Sequence, residues 1–167
     1  MLKDEKGFMA IPILSVFLVI ALSVTAILAG LAFGAKATAV RVYGYFGEAM
    51  NYAAASANMD GDTSQVALRT DLAKKHFAYA MAAMTETAWN GAEFVPNPNN
   101  KAIAGPIKLV EFKPVAPGDP VPGGKAGAPG YVAVIEVPVL GGTYPLIGPQ
   151  YITVPMKQFG AVVSSRM

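Results

Sequence analysis

The chain has no cysteine, one histidine and one tryptophan among its 167 residues. Without cysteine there is no disulfide framework, thiolate metal site, cysteine nucleophile or covalent c-type haem attachment. Charge is also scarce. Asp, Glu, Lys and Arg make up 14% of the residues, and the formal net charge is +2. The basic residues do not cluster beyond the Lys74-Lys75 pair. The basic stripe of a nucleic-acid-binding surface is therefore missing, and no nucleic-acid partner is expected. The 17 glycines and 13 prolines fall mostly after residue 90. The chain reads as helix before that point and as strand and turn after it.

Charge is scarcest near the N-terminus. In KDEKGFMAIPILSVFLVIALSVTAILAGLAFGAK, the 28 residues from Phe8 to Ala35 carry none. As a helix this run is roughly 40 Å long, against about 30 Å of bilayer hydrocarbon. The apolar part of a secretory signal is only about 7–15 residues long. A soluble core helix normally keeps a polar stripe. Here the polar positions are only Ser15, Ser23 and Thr25, with the small Gly30 beside them. The run fits a helix that spans a membrane or packs among identical helices.

The helical pattern continues past Lys36, and one helix is expected from about Met9 to about Ala57, bent near Pro12 and loosened near Gly44. Val40, Tyr43, Phe46, Met50 and Ala54 recur every three or four residues and predict one apolar stripe. Gly44 and Gly47 weaken a helix by about 1 kcal/mol each, but they admit close approach of another backbone. Tyr43, Tyr45, Phe46 and Tyr52 lie where the helix leaves the apolar run, as an interfacial belt or as core packing. A second helix is expected over 63–89, started by Asp62 and Gln65 in a capping-box-like pattern. Its stripe is Leu68, Leu72, Phe77, Met81, Met84 and Ala88. Strands are expected over about 106–113, 131–140, 143–147 and 150–164, with a turn at Gly141-Gly142. The Pro/Gly loop over 114–130 is expected to be mobile or extended. Prolines 138, 145 and 155 suggest edge positions or strand ends. The fold class is α+β: a long N-terminal hydrophobic helix, a second helix and a small antiparallel sheet domain. The divisions are a charged stretch over 1–7, a transmembrane or assembly helix over 8–57 and an α+β domain over 58–167.

Motifs for chemistry are few. His76, beside Lys74 and Lys75, has no serine or acid placed to work with it. Gly123-Gly124-Lys125 looks like the end of a phosphate loop. However, Asp119 replaces the first glycine, Ala126 replaces the Ser/Thr, and a strand follows where a helix is needed. Asn58, Asp60, Asp62 and Ser64 alternate oxygen-bearing side chains as in the first half of a calcium loop. Thr63 and Arg69 stand where that loop needs glycine and glutamate. A turn followed by a helix cap explains these residues, and they stay a weak calcium candidate. No catalytic residue, resident metal or cofactor is expected.

The opening stretch resembles the class III signal of type IV prepilins: charged residues, Lys6-Gly7-Phe8, then an unbroken apolar helix. The tight-adherence pseudopilin-like proteins are a close second match. The resemblance covers about the first 50 residues by pattern and the rest by architecture. It implies that a membrane peptidase cuts between Gly7 and Phe8 and methylates Phe8. It also implies that the apolar helix is retained as anchor and then as filament core, in a pilin lollipop. Phe8, Pro12, Phe17, Gly30, Val40, Tyr43, Gly44, Phe46, Gly47 and Met50 would then belong to the assembly helix. The implied partners are other copies of the chain, membrane lipid before assembly, the prepilin-type peptidase and the assembly machinery. Major pilins carry glutamate at the fifth position counted from Phe8, and this chain carries Pro12. Lys3 and Lys6 before the run balance Lys36 and Arg41 after it, so charge leaves orientation open. The resemblance places the N-terminus in the cytoplasm and the finished subunit at the cell surface. The rival expectation is a single-span anchored protein with an extracytoplasmic binding or accessory domain. An enzyme on a membrane anchor is a weaker third, since it lacks a catalytic constellation.

Overall fold

A computed structural model describes residues 5–56 and 68–162. Among them are two helices, α1 (Glu5–Ser56) and α2 (Thr70–Thr85), and seven strands. The strands are β1 (Thr87–Trp89), β2 (Glu93–Pro96), β3 (Ile107–Val115), β4 (Pro120–Val121), β5 (Gly124–Lys125), β6 (Gly130–Tyr144) and β7 (Gly148–Ala161). The fold class is α+β. The chain divides into two units, 1–36 and 37–167, and the division falls within α1.

The first unit is the apolar part of α1. The helix stays continuous through Pro12. Ser15 Oγ donates to the Pro12 carbonyl at 2.8 Å, and Thr25 Oγ1 to the Ala21 carbonyl at 2.8 Å. Both hydroxyls are thus satisfied by their own helix, as lipid requires of a polar group.

In the second unit, α1 over 37–56, α2 and a five-stranded antiparallel sheet enclose one core. The sheet order is β1-β2-β3-β6-β7. The α1 residues that bury are Val42, Phe46, Ala49, Met50, Ala53 and Ala54. This corrects the predicted stripe. Phe46, Met50 and Ala54 face inward, whereas Val40 and Tyr43 are 64% and 48% exposed. The working repeat starts at Val42 and selects alanines, whose small side chains let the helix lie close to the sheet. The closest point is Gly160 on β7, where an added Cβ would stand 2.6 Å from the Met50 carbonyl oxygen. Gly160→Ala is therefore expected to destabilise the unit by about 1–3 kcal/mol through overpacking. A fall in the urea unfolding midpoint checks this.

Helix α2 is shorter than expected. Residues 63–67 lie outside the described residues, and Leu68 and Arg69 precede the helix. Glu86 ends it in the left-handed conformation (φ 53°), its N–H reaching the Ala82 and Ala83 carbonyls. Ala88 accordingly sits in β1, not on the helix. Phe77 is the hub of the core. Its ring lies 5.8 Å from Phe46, 6.0 Å from Phe94 and 5.5 Å from Phe112, and Phe112 stacks on Tyr131 at 5.6 Å.

Strand β6 is buried on both faces. Tyr131, Ala133, Ile135 and Val137 alternate with Val132, which packs with Val115 and Ala126 in a small second cluster. Ala126 belongs to the Pro/Gly loop, which is neither extended nor free. Strands β4 and β5 form a hairpin there, turned by Pro122 and by Gly123 with φ +88°, the combination of a type II turn. Gly118 N–H donates to the Ala126 carbonyl at 2.8 Å, Ala126 N–H to the Asp119 carbonyl at 2.9 Å, and Ala116 N–H to Asp119 Oδ2 at 2.9 Å.

The expected turn at Gly141-Gly142 is also corrected. Both glycines lie inside β6, paired with Tyr151 and Gln150, and the chain turns at 145–147. Gly141 is needed for space, because a Cβ there would stand 2.6 Å from the Tyr151 ring. The prolines obey sheet rules. Pro155 lies on the edge strand β7, Pro145 in the turn, and Pro138 beyond the last β3–β6 pair, Lys108 with Glu136.

The Tyr131 hydroxyl is buried without a hydrogen-bond partner among the described residues. Burial pushes its phenol above the ordinary value. Tyr131→Phe is expected to raise stability by about 0.5–1 kcal/mol, because the unpaired hydroxyl is no longer desolvated. The unfolded chain loses this proton near pH 10, before the folded chain does, so the wild type loses stability as pH rises past about 10. Urea unfolding at neutral and alkaline pH checks both effects, and the alkaline loss is expected to shrink in the variant.

Candidate functional site

The feature that sets this molecule apart is the surface of α1. Every side chain from Pro12 to Gly34 is exposed. Phe17 is 69% exposed, and Leu, Ile and Val fill most of the remaining positions. An apolar surface this large marks an interaction site or a membrane contact. One helix among the described residues is long and apolar enough to cross a membrane, and it is this one. An added Cβ at Gly30, Gly34 or Gly44 would meet nothing within 4 Å.

The predicted assembly residues divide into two sets. Pro12, Phe17, Gly30, Val40, Tyr43 and Gly44 are exposed. Phe46 and Met50 are core residues of the second unit. Gly47 faces the Gln158 side chain on β7, with a would-be Cβ 3.7 Å from its Nε2. The small residue at 47 thus serves approach within the chain. Gly7 and Phe8 belong to the helical backbone of α1, and their side chains are outside the description. Asn58, Asp60, Asp62 and Ser64, the weak calcium candidates, lie outside the described residues.

His76 makes an edge contact with Tyr52, ring centroids 5.9 Å apart. A cleft of about 100 Å³ lies between α1, the end of α2 and the β2–β3 loop, lined by Thr38, Arg41, Tyr45, Glu86 and Asn100 among others. Two of its polar side chains, Asn100 and Thr38, are engaged in structure. Asn100 Nδ2 donates to the Thr85 and Glu86 carbonyls at 2.7 and 3.3 Å, and its Oδ1 accepts from Ala102 N–H at 2.9 Å. Thr38 Oγ1 donates to the Ala102 carbonyl at 3.3 Å. Asn100 thereby ties off the C-terminus of α2. Sequence reasoning missed it, because an Asn between Asn97, Asn99 and Lys101 reads only as a polar loop.

Compared with known proteins, the chain matches no family model, no curated protein and no solved structure. A long N-terminal apolar helix, a second helix and an antiparallel sheet are compatible with the pilin-like resemblance at the level of fold.

Proposed function

We propose that the chain is a non-enzymatic subunit of a pilus-like filament. Its N-terminal helix is held in the cytoplasmic membrane and then packs with copies of itself as the filament core. The observation that carries this reading is the fully exposed apolar surface of α1 from Pro12 to Gly34. Such a surface is stable in hydrocarbon or against identical helices, and water favours neither its area nor its shape. The hydroxyl bonds of Ser15 and Thr25 suit both settings. In this reading the α+β body forms the outer surface, and Gly7 and Phe8 are the processing site for a prepilin-type peptidase. The N-terminus starts in the cytoplasm. Assembly machinery is a partner, and nucleic acid is not. The experiment is sedimentation of the full chain after detergent removal. Ordered high-molecular-weight polymer supports the filament, and lipid-bound monomer opposes it.

Pro12 favours a second reading. It stands where major pilins carry the glutamate that neutralises a neighbouring amino terminus. A single-span accessory or binding protein of a pilus or secretion assembly system needs no such glutamate. In that case the chain stays in membranes and forms no polymer.

A further inference from the structure

The β6–β7 hairpin is longer than the sheet that holds it. β6 pairs with β3 only from Gly130 to Glu136. From Val137 to Tyr144 its partner is β7 alone. The 20 residues from Val137 to Met156 contain no Asp, Glu, Lys or Arg, and Glu136 and Lys157 bracket them. At the turn Leu146 is 98% exposed and Ile147 71%, followed by Ile152 at 62%. A solvated ribbon tip normally carries charge or small polar turn residues. This one carries PLIGP.

Its position is fixed by contacts within the second unit. On β7, Gly160 meets Met50 and Gln158 meets Gly47. Moving back along β7 toward the turn therefore runs in the same sense as moving back along α1 toward Ala37. The loop contacts agree. Thr38 bonds to Ala102, and two residues on, Ala104 and Gly105 pack against Gly141 and the Tyr151 ring. The ribbon thus projects from the end of the body that carries Ala37. Ala37 is one residue beyond Lys36, which closes the apolar run. By chain continuity, the apolar run is attached at this same end of the body.

We propose that the tip around Leu146 and Ile147 is a second membrane contact, entering the boundary between headgroups and acyl chains of the bilayer that holds α1. The inference rests on the anchoring part of the function proposed above. A two-stranded ribbon leaves backbone N–H and C=O groups unpaired along both edges, so it cannot cross hydrocarbon. Entry is shallow, about 5–10 Å. Tyr151, 40% exposed, lies back from the tip, where an amphipathic ring suits the headgroup level. With no charge on the ribbon, the contact does not require anionic lipid and is insensitive to salt. The contact would hold the body against the bilayer and be released when the subunit leaves for a filament.

The test uses the full chain in vesicles of phosphatidylcholine alone. The chain has no cysteine, so single cysteines can carry an environment-sensitive fluorophore. The positions are Leu146→Cys, with Ile147→Cys as a second reporter of the tip, Phe17→Cys in the apolar run and Lys125→Cys in β5. Lys125 is exposed at the other end of the body, since β6 spans roughly 45 Å. Lipid bearing a shallow nitroxide should quench the labels at 146, 147 and 17 about twofold or more, and leave that at 125 unchanged. Quenching at 17 with none at 146 and 147 overturns the tip contact alone. No quenching at 17 overturns the anchoring reading, and the tip contact with it. Self-quenching at 146 that rises with protein-to-lipid ratio, without nitroxide quenching, assigns the tip to a second copy and overturns the proposal.

Discussion

Leu22→Arg is expected to abolish polymer formation while leaving the α+β body folded. Leu22 lies at the centre of the uncharged run and is exposed. A charge at the centre of a membrane helix costs about 2.5–3.5 kcal/mol on insertion scales, roughly a hundredfold in partition. The many apolar neighbours offset part of that, so some chain still reaches the membrane. A bundle of identical helices has no such relief, because it aligns each arginine with those of its neighbours. Desolvation and like-charge repulsion then add at every copy. Sedimentation without detergent reads the loss of polymer. The urea midpoint of the body is expected to stay at the wild-type value, since Leu22 lies outside the 37–167 unit. Leu22→Ile, which keeps the apolar surface, should assemble.

The second large effect is in the body. Phe77→Ala should cost about 3–5 kcal/mol, the range for deleting a buried aromatic ring. Phe77 is fully buried and its ring meets those of Phe46, Phe94 and Phe112. Truncation leaves three rings facing a cavity and loosens α1, α2 and the sheet together. A domain with about 5–15 kcal/mol of total stability loses a large share of it. Trp89, the single tryptophan, reports the change, because its ring packs 4.5 Å from Phe94. Its emission should shift to the red at a much lower urea concentration than in the wild type. Phe77→Leu refills part of the cavity and should lose less.

The sequence made some of this architecture legible and hid the rest for physical reasons. The apolar helix was readable because its signal is a long lack of charge, which nothing else in the chain imitates. The antiparallel β-rich half was readable from the apolar, valine-rich run over 131–140 and from the placement of glycine and proline. The stripe on α1 was misread at Val40 and Tyr43, because alanine carries little hydrophobic signal. Ala49 and Ala53 are buried as fully as Phe46. The turn was placed at Gly141-Gly142 because glycine pairs usually turn chains. There, glycine instead makes room for the Tyr151 ring from the paired strand, a contact ten residues away in sequence. Strands β1 and β2 are short, and their burial comes from α2 and β3, which local pattern does not contain. The exposed apolar surface of α1 was legible as composition. The division of α1 into outward residues and core residues was not, because that depends on where β7 meets α1.

The most direct measurement is the intact mass and N-terminal sequence of the chain recovered from its native cells, from membranes and from sheared surface material. The account predicts a chain beginning at Phe8 in the sheared material, with α1 from Phe8 onward carried into the filament. A chain confined to the membranes and beginning at Met1 would contradict it.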